Sequence, residues 1–330
     1  MGQTVGSHRA AVMDRVSSQT IKAKALDLGF TTVGIAPATP IPEALTTYRY
    51  WLESGFQADM GYLEEHEVLK QNPQSLLEGA QSVIAVTLNY YQDPTQSPIE
   101  SAGKIARYAL GRDYHKVLRS KLNRLGREVQ RENPESKVRA CVDSAPILDR
   151  AYASLAGLGW FGKNTMLIDS KRGSWFFIGL LLTTVPYVTD ELSVGGCGTC
   201  RKCIDACPTG AIKLLGGKYQ VDSRSCISYQ TIENKRDLSV DTHGWAFGCD
   251  ICQEVCPFNQ PRESQPLRGI ETQEPDFRLP LAAKLRAEMS EGQWDLATQG
   301  SPIRRAGYKG WVRNQKGFAS ELDKDAKNPD

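Results

Sequence analysis

CGTCRKCIDACPTGAI, residues 197–212, places four cysteines within eleven positions and follows the last with Pro208. A second run, CDICQEVCP at 249–257, also ends on a proline, and Cys226 stands alone between the two. Eight of the nine cysteines in this 330-residue chain lie between 197 and 256; the exception is Cys141. Disulfide frameworks belong to small secreted chains. This chain is not small, and its opening, MGQTVGSHRAAVMDRVSS, has no apolar leader segment. The crowding therefore points to metal.

The first run reads C-x2-C-x2-C-x3-C-P, the pattern of bacterial ferredoxins, in which the fourth cysteine serves the other cluster. The second set has the same ending with its first gap stretched to twenty-two residues. The crossed assignment gives Cys197, Cys200, Cys203 and Cys256 to one [4Fe–4S] cluster. Cys207, Cys226, Cys249 and Cys252 go to the other. Structural zinc is the alternative, but zinc needs only two CxxC pairs. It supplies no reason for a repeated run with a trailing proline.

The rest of the chain is ordinary in bulk: 40% apolar, 24% charged, net charge +2. Overall charge does not announce a nucleic-acid binder. The longest apolar run, WFFIGLLLTTV at 175–185, is too short to span a bilayer. A helix is expected over 19–28, a strand over 31–38, a helix over 42–53 and a strand over 82–91. Leu118, Leu122, Leu125 and Val129 mark one stripe of a helix over 113–131. A strand at 137–143 and a helix at 147–158 follow, then two strands across 164–185 joined by a turn at Lys171–Gly173. The alternation predicts an α/β domain over 19–190 after a flexible start, residues 1–18. A two-cluster ferredoxin-like module takes 191–260, and a helical C-terminal segment with a polar tail takes 261–330. GxGxxG, P-loop and G-x-S-x-G signatures are absent, so a nicotinamide fingerprint is unsupported.

Asp143 ends a strand, where α/β proteins place functional groups, though spacing alone favours a helix cap. GWFGKNT, 159–165, has the glycines, cation, amide and hydroxyl of a ligand loop, or of a plain turn. RYALGRDYHKVLR (107–119), VDSAPILDR, AGLGWFGKNTMLI, the first cysteine run, CISYQTIE (226–233) and FGCDICQEVCPFN (247–259) together resemble the epoxyqueuosine reductases, in order, from about residue 18 to about residue 315. The resemblance implies a nitroreductase-like α/β (α+β) domain that binds cobalamin beside two [4Fe–4S] clusters, related to reductive dehalogenases. It implies reduction of epoxyqueuosine to queuosine at the tRNA wobble position.

By the same resemblance Asp143 is the proton donor; to donate, its carboxyl needs a pKa raised by burial, which an apolar site would give. Arg150, Lys163, Asn164, Thr165 and Leu167 fall in stretches that line the corrinoid, and Gly248 and Asp250 sit where the second cluster approaches it. Asp113-Tyr-His115 begins a D-x-H-x-x-G motif that lacks its glycine, so His115 reads as a helix-surface residue rather than a cobalt ligand. The family's larger members carry a helical-repeat extension that is short or absent here. Residues 104–140, with eleven Lys or Arg against four acids, and 303–316, with Tyr308 and Trp311 among five cations, read as tRNA-facing patches or as solvated faces. A cytoplasmic monomer served by an unidentified electron donor is expected. Two rivals are a corrinoid reductase of a small halogenated or epoxide compound and a non-catalytic iron–sulfur carrier.

Overall fold

The computed structural model describes residues 17–92, 102–261, 263, 271–278 and 280–325, with side chains as far as 316. Residues 1–16 of the expected flexible start and the last five residues of the polar tail lie outside the described residues.

Helix α1 spans residues 17–27. Strand β1 (Thr32–Pro37) and helix α2 (Pro42–Glu53) follow, α2 opening on proline as its missing N–H permits. Two single turns, α3 (Tyr62–Glu65) and α4 (Glu67–Lys70), lead to β2 (Ser82–Asn89), the short β3 (Lys104–Ile105) and helix α5 (Tyr114–Glu132). Then come β4 (Val138–Val142), α6 (Asp149–Leu155), β5 (Trp160–Phe161), β6 (Leu167–Ile168) and β7 (Phe176–Thr183). The central sheet runs β1-β2-β7-β4, antiparallel throughout. This is the α+β form of the expected class.

Both faces of the sheet are covered, which is why β2 reads as a continuous apolar run rather than an alternation. Ile84, Val86 and Leu88 join the α5 stripe Leu118, Leu122, Leu125 and Val129 on one side. Val83 and Ala85 meet Tyr152 and Ala153 of α6 and Ala156 just after it on the other, with Cys141 beside them as a core residue. Each α5 leucine is fully buried, so truncation to alanine costs about 2–5 kcal/mol. Gly34 is required by this packing: a Cβ there would lie 2.0 Å from the Ala156 carbonyl oxygen.

The expected hairpin over 164–185 does not form. Its turn exists, closed by an Asp169–Gly173 bridge, but β6 pairs backward with β5. The turn is instead pinned to the cysteine region: Asn259 Oδ1 accepts from the Ser174 amide at 2.6 Å.

In the cysteine region lie α7 (Lys202–Asp205), the β8–β9 hairpin (Ile212–Leu215, Lys218–Val221), α8 (Ile227–Ile232), β10 (Trp245–Phe247) and α9 (Ile251–Glu254). Helices α10 (Glu291–Ala297) and α11 (Gly307–Asp325) complete the chain. The stretch between Cys226 and Cys249 is no idle insertion. Its β10 pairs in parallel with β3, across the 190/191 boundary. Ala246 and Phe247 of β10, Ile105 and Leu110, Trp294 of α10 and Trp311 of α11 share a third core. The first domain, the cysteine region and the C-terminal helices are therefore tied through common apolar contacts.

Candidate active site

The fold gathers the eight cysteines of the runs into the two crossed sets. The Cys203 thiol feels Cys197, Cys256 and Cys200 as its charged neighbours. Those four line one cavity, walled by Lys163, Asn164 and Phe258. Cys249 feels Cys226 and Cys207; Cys252 feels Cys249, Cys226 and then Cys203, so the second set adjoins the first. Among the described residues no three His, Cys, Asp or Glu side chains converge on a single-ion centre. The first four thiols surround a space, as ligands of a cluster with its own inorganic core would.

Asp143 stands one residue beyond β4 at φ +38°, a left-handed conformation that is strained for a side-chain-bearing residue. It caps nothing: α6 begins at Asp149, and its N-cap, Leu148, makes no side-chain bond. The carboxylate instead accepts at Oδ2 from the Tyr114 hydroxyl at 2.7 Å and meets His115 Nε2 at 3.0 Å. His115 Nδ1 lies 2.8 Å from Asp113 Oδ1, which also caps α5 by accepting from the His115 amide. The Tyr114 ring stacks on His115 on one side and Phe177 on the other, both at 4.1 Å.

This arrangement reverses the expected titration of Asp143. Its side chain is 56% exposed, yet protein rings it closely enough to cost hydration. That desolvation raises the carboxyl pKa, but the bonds from His115 and Tyr114 and the charges of His115 and Arg150 outweigh it and leave it below the ordinary value. Burial lowers the His115 imidazole, but its bonds to Asp113 and Asp143 prevail and bring it up to about 9. At neutral pH the resting pair is carboxylate and imidazolium. The reading of His115 as a bland surface residue is thereby corrected.

The expected cofactor residues are mostly engaged in joining parts of the protein. The Lys163 ammonium donates to the Gly198 and Cys200 carbonyls at 2.8 and 2.9 Å. Asn164, 3% exposed, donates to the Cys252 carbonyl at 3.1 Å. The 161–166 loop thus grips the backbone of both thiol sets. Thr165, at φ +64°, offers its carbonyl to Arg150, whose guanidinium donates at 2.6 Å and is exposed. Leu167 is core. Gly248 donates its amide to Thr231, and a Cβ there would meet Ala106 at 2.5 Å. Asp250, 2% exposed, accepts from the Arg107 amide at 2.8 Å and guanidinium at 3.1 Å.

Arg107 and Tyr114, which residue-by-residue reading passed over, and His115, read only as a helix-surface residue, contact Asp250 and Asp143. The available signal was the run RDYH at the start of α5, where a helix cap, an aromatic and an imidazole fall within three positions. Several side chains of the basic patches are engaged within the protein, while most of their cations stay exposed. Arg313 donates to the Gln230 and Asn234 carbonyls, Arg305 pairs with Glu233, and Trp311 is fully buried. In the other patch Arg112 pairs with Asp276 and Lys121 with Glu274, while Lys116, Arg119, Arg124 and Arg127 of α5 remain exposed.

Fold and site together define a two-cluster iron–sulfur reductase with a carboxylate–imidazole pair at the end of β4. A family model described as "Epoxyqueuosine reductase QueG, DUF1730" matches residues 70–144, and one described as "4Fe-4S double cluster binding domain" matches 196–259. A Synechococcus (strain RCC307) epoxyqueuosine reductase is 42% identical over 90% of this chain and 92% of its own length. The chain belongs to the epoxyqueuosine reductase family. Two solved epoxyqueuosine reductases superpose on it at 25% identity. One, with an epoxyqueuosine-modified tRNA-Tyr stem loop, has TM-score 0.81 over 93% of this chain and 82% of its own. The other, from Bacillus subtilis with its catalytic aspartate loop swung out of the active site, has TM-score 0.75 over 94% and 85%. A reductive dehalogenase whose structure suggests a mechanism for B12-dependent dehalogenation shares the fold alone, at 14% identity and TM-score 0.51 over 92% of this chain and 38% of its own. Among the described residues no helix is long and apolar enough to cross a membrane.

Proposed function

We propose that this protein removes the epoxide oxygen of epoxyqueuosine at the wobble position of a tRNA anticodon, leaving queuosine and water. The observation that carries the reading is Asp143. It is held in a strained backbone conformation at a strand end, and its Oδ2 is fixed by two donors. Oδ1 makes no hydrogen bond among the described residues. Such strain persists where surrounding structure over-determines it, and it concentrates at working sites. An epoxide oxygen leaves poorly unless it gains a proton, and Asp143 is positioned to pass one on.

Cys197, Cys200, Cys203 and Cys256 hold one [4Fe–4S] cluster, and Cys207, Cys226, Cys249 and Cys252 the other. All-thiolate ligation permits the low potentials the reduction needs. Cobalamin, when bound, supplies a cobalt centre that collects single electrons into a pair. The residues present fit such a group: the 161–166 loop is clamped to both thiol sets, and Arg150 lies exposed at its edge. Arg150 and the Thr165 backbone would hold its polar rim. Lys163, Asn164, Leu167, Gly248 and Asp250 would keep that loop and the second thiol set in place from behind.

The RNA loop meets the rim around Asp143. Tyr62 there is 39% exposed, with the Arg305 guanidinium 5.8 Å from its ring centre. Lys70 of α4 and Arg150 of α6 add positive charge near Asp143. Aromatics and cations of this kind take splayed bases of single-stranded loops. The enzyme works where its tRNA is, in the cytoplasm, as a monomer fed by a separate low-potential donor.

The test is incubation of anaerobically prepared holoenzyme with epoxyqueuosine-bearing tRNA, cobalamin and a strong reductant, followed by nucleoside analysis. Queuosine is expected from the wild type. Asp143→Asn should retain its iron and lose turnover by a factor on the order of 10²–10⁴. Unconverted nucleoside with the wild type, or full turnover by the variant, overturns the reading.

A further inference from the structure

The reaction consumes two electrons and two protons: both carbon–oxygen bonds of the epoxide break, a carbon–carbon double bond forms, and the oxygen departs as water. One carboxyl carries one proton at a time, so a second source must stand behind Asp143. Two groups touch its Oδ2, Tyr114 and His115. Tyr114 is a poor candidate. Burial, with the Asp143 charge next in order, pushes its phenol well above the ordinary value, so it orients the carboxyl without yielding its proton.

We propose that His115 is the positioning residue that reloads Asp143, its Nε2–H supplying the proton that passes through the carboxyl to the departing oxygen while Asp113 aligns the ring from Nδ1. This rests on the proposed reduction. The line is continuous: Asp113 Oδ1 to Nδ1 at 2.8 Å, then Nε2 to Asp143 Oδ2 at 3.0 Å. The electrons arrive by the cluster path from the external reductant, so His115 moves only a proton.

The placement also gives a release mechanism. His115 lies in the first turn of α5, the positive end of the helix, where a cation is disfavoured. Two carboxylates, Asp113 and Asp143, hold the imidazolium there against that field. When the proton moves from Nε2 to Asp143, imidazolium and carboxylate are neutralised together, and no cation is left at the helix end that disfavours one. The remaining charged or titratable neighbours are Lys116 on α5, Tyr108 packed against Tyr114, and Tyr62, Asp149, Arg150 and Lys70 around Asp143.

Two measurements on the holoenzyme test this. The chain has four histidines, so labelled-histidine NMR with clusters oxidised can assign His115 by difference from His115→Gln. The ring should titrate near 9 in the wild type and at lower pH in Asp143→Asn, where Asp113 alone still raises it. In turnover, His115→Gln should lose kcat on the order of 100-fold with KM little changed. Asp113→Asn keeps an acceptor for Nδ1 but removes its charge, and should move the alkaline limb of kcat to lower pH. A wild-type ring titrating near 6.5 overturns the proposal, as does His115→Gln with undiminished kcat and an unchanged limb. Should His115→Gln lose its iron, Asp113→Asn and the titration decide. Wild type that leaves the nucleoside unconverted defeats the functional reading instead, and the titration still reports on the pair.

Discussion

Replacing Arg107 with methionine should destabilise the protein by about 3–5 kcal/mol, the cost of leaving a buried carboxylate without its partner. Arg107 is 8% exposed and Asp250 2%. The guanidinium lies 3.1 Å from Asp250 and 2.6 Å from Glu254. It also sits 4.9 Å from the Trp175 ring centre and 5.8 Å from that of Tyr91. Methionine preserves most of the apolar stem, so the loss is mainly electrostatic. The Arg107 amide still donates to Asp250, which keeps the damage at the lower end. Asp250 separates Cys249 from Ile251 and Cys252, so the second cluster should loosen first. The assay is anaerobic guanidinium unfolding with iron counted per chain. Adding Asp250→Asn removes the orphaned charge and should recover a coupling of about 0.5–3 kcal/mol. A loss under about 1 kcal/mol with iron retained would put the pair on a par with surface bridges and refute the reasoning. So would a double variant no more stable than the single.

Two further outcomes follow from the same geometry. Cys256→Ser should abolish the same cluster signal in electron paramagnetic resonance as Cys203→Ser, and Cys207→Ser the same as Cys226→Ser; grouping by sequence run instead would disprove the crossed sets. Trp311→Ala should cost about 3–5 kcal/mol in chemical denaturation because the ring is fully buried. An unfolding midpoint unchanged from wild type, with weakened RNA binding, would return Trp311 to the stacking role.

The local parts of this protein are legible in its sequence because their causes are local. Cysteine spacing follows from the reach of a short loop around a cluster, so the two runs declare themselves. The α5 stripe and the apolar β2 follow from helix and strand periodicity. The 164–185 hairpin misled because whether β6 pairs forward or backward depends on Asn259, some eighty residues away, pinning the turn. The basic patches show a related limit: a count of charges says nothing about which carbonyls or acids stand opposite them, such as the Gln230 carbonyl that takes Arg313 and the Glu233 carboxylate that pairs with the exposed Arg305. Asp143 was identifiable as a residue, but its charge state was not. A pKa depends on what lies within a few ångströms, and only folding brings the start of α5 to the end of β4, twenty-eight residues on. Cysteine spacing determined the iron–sulfur class. The tertiary structure decided where the proton sits, because electrostatics follows distance in space and not distance along the chain.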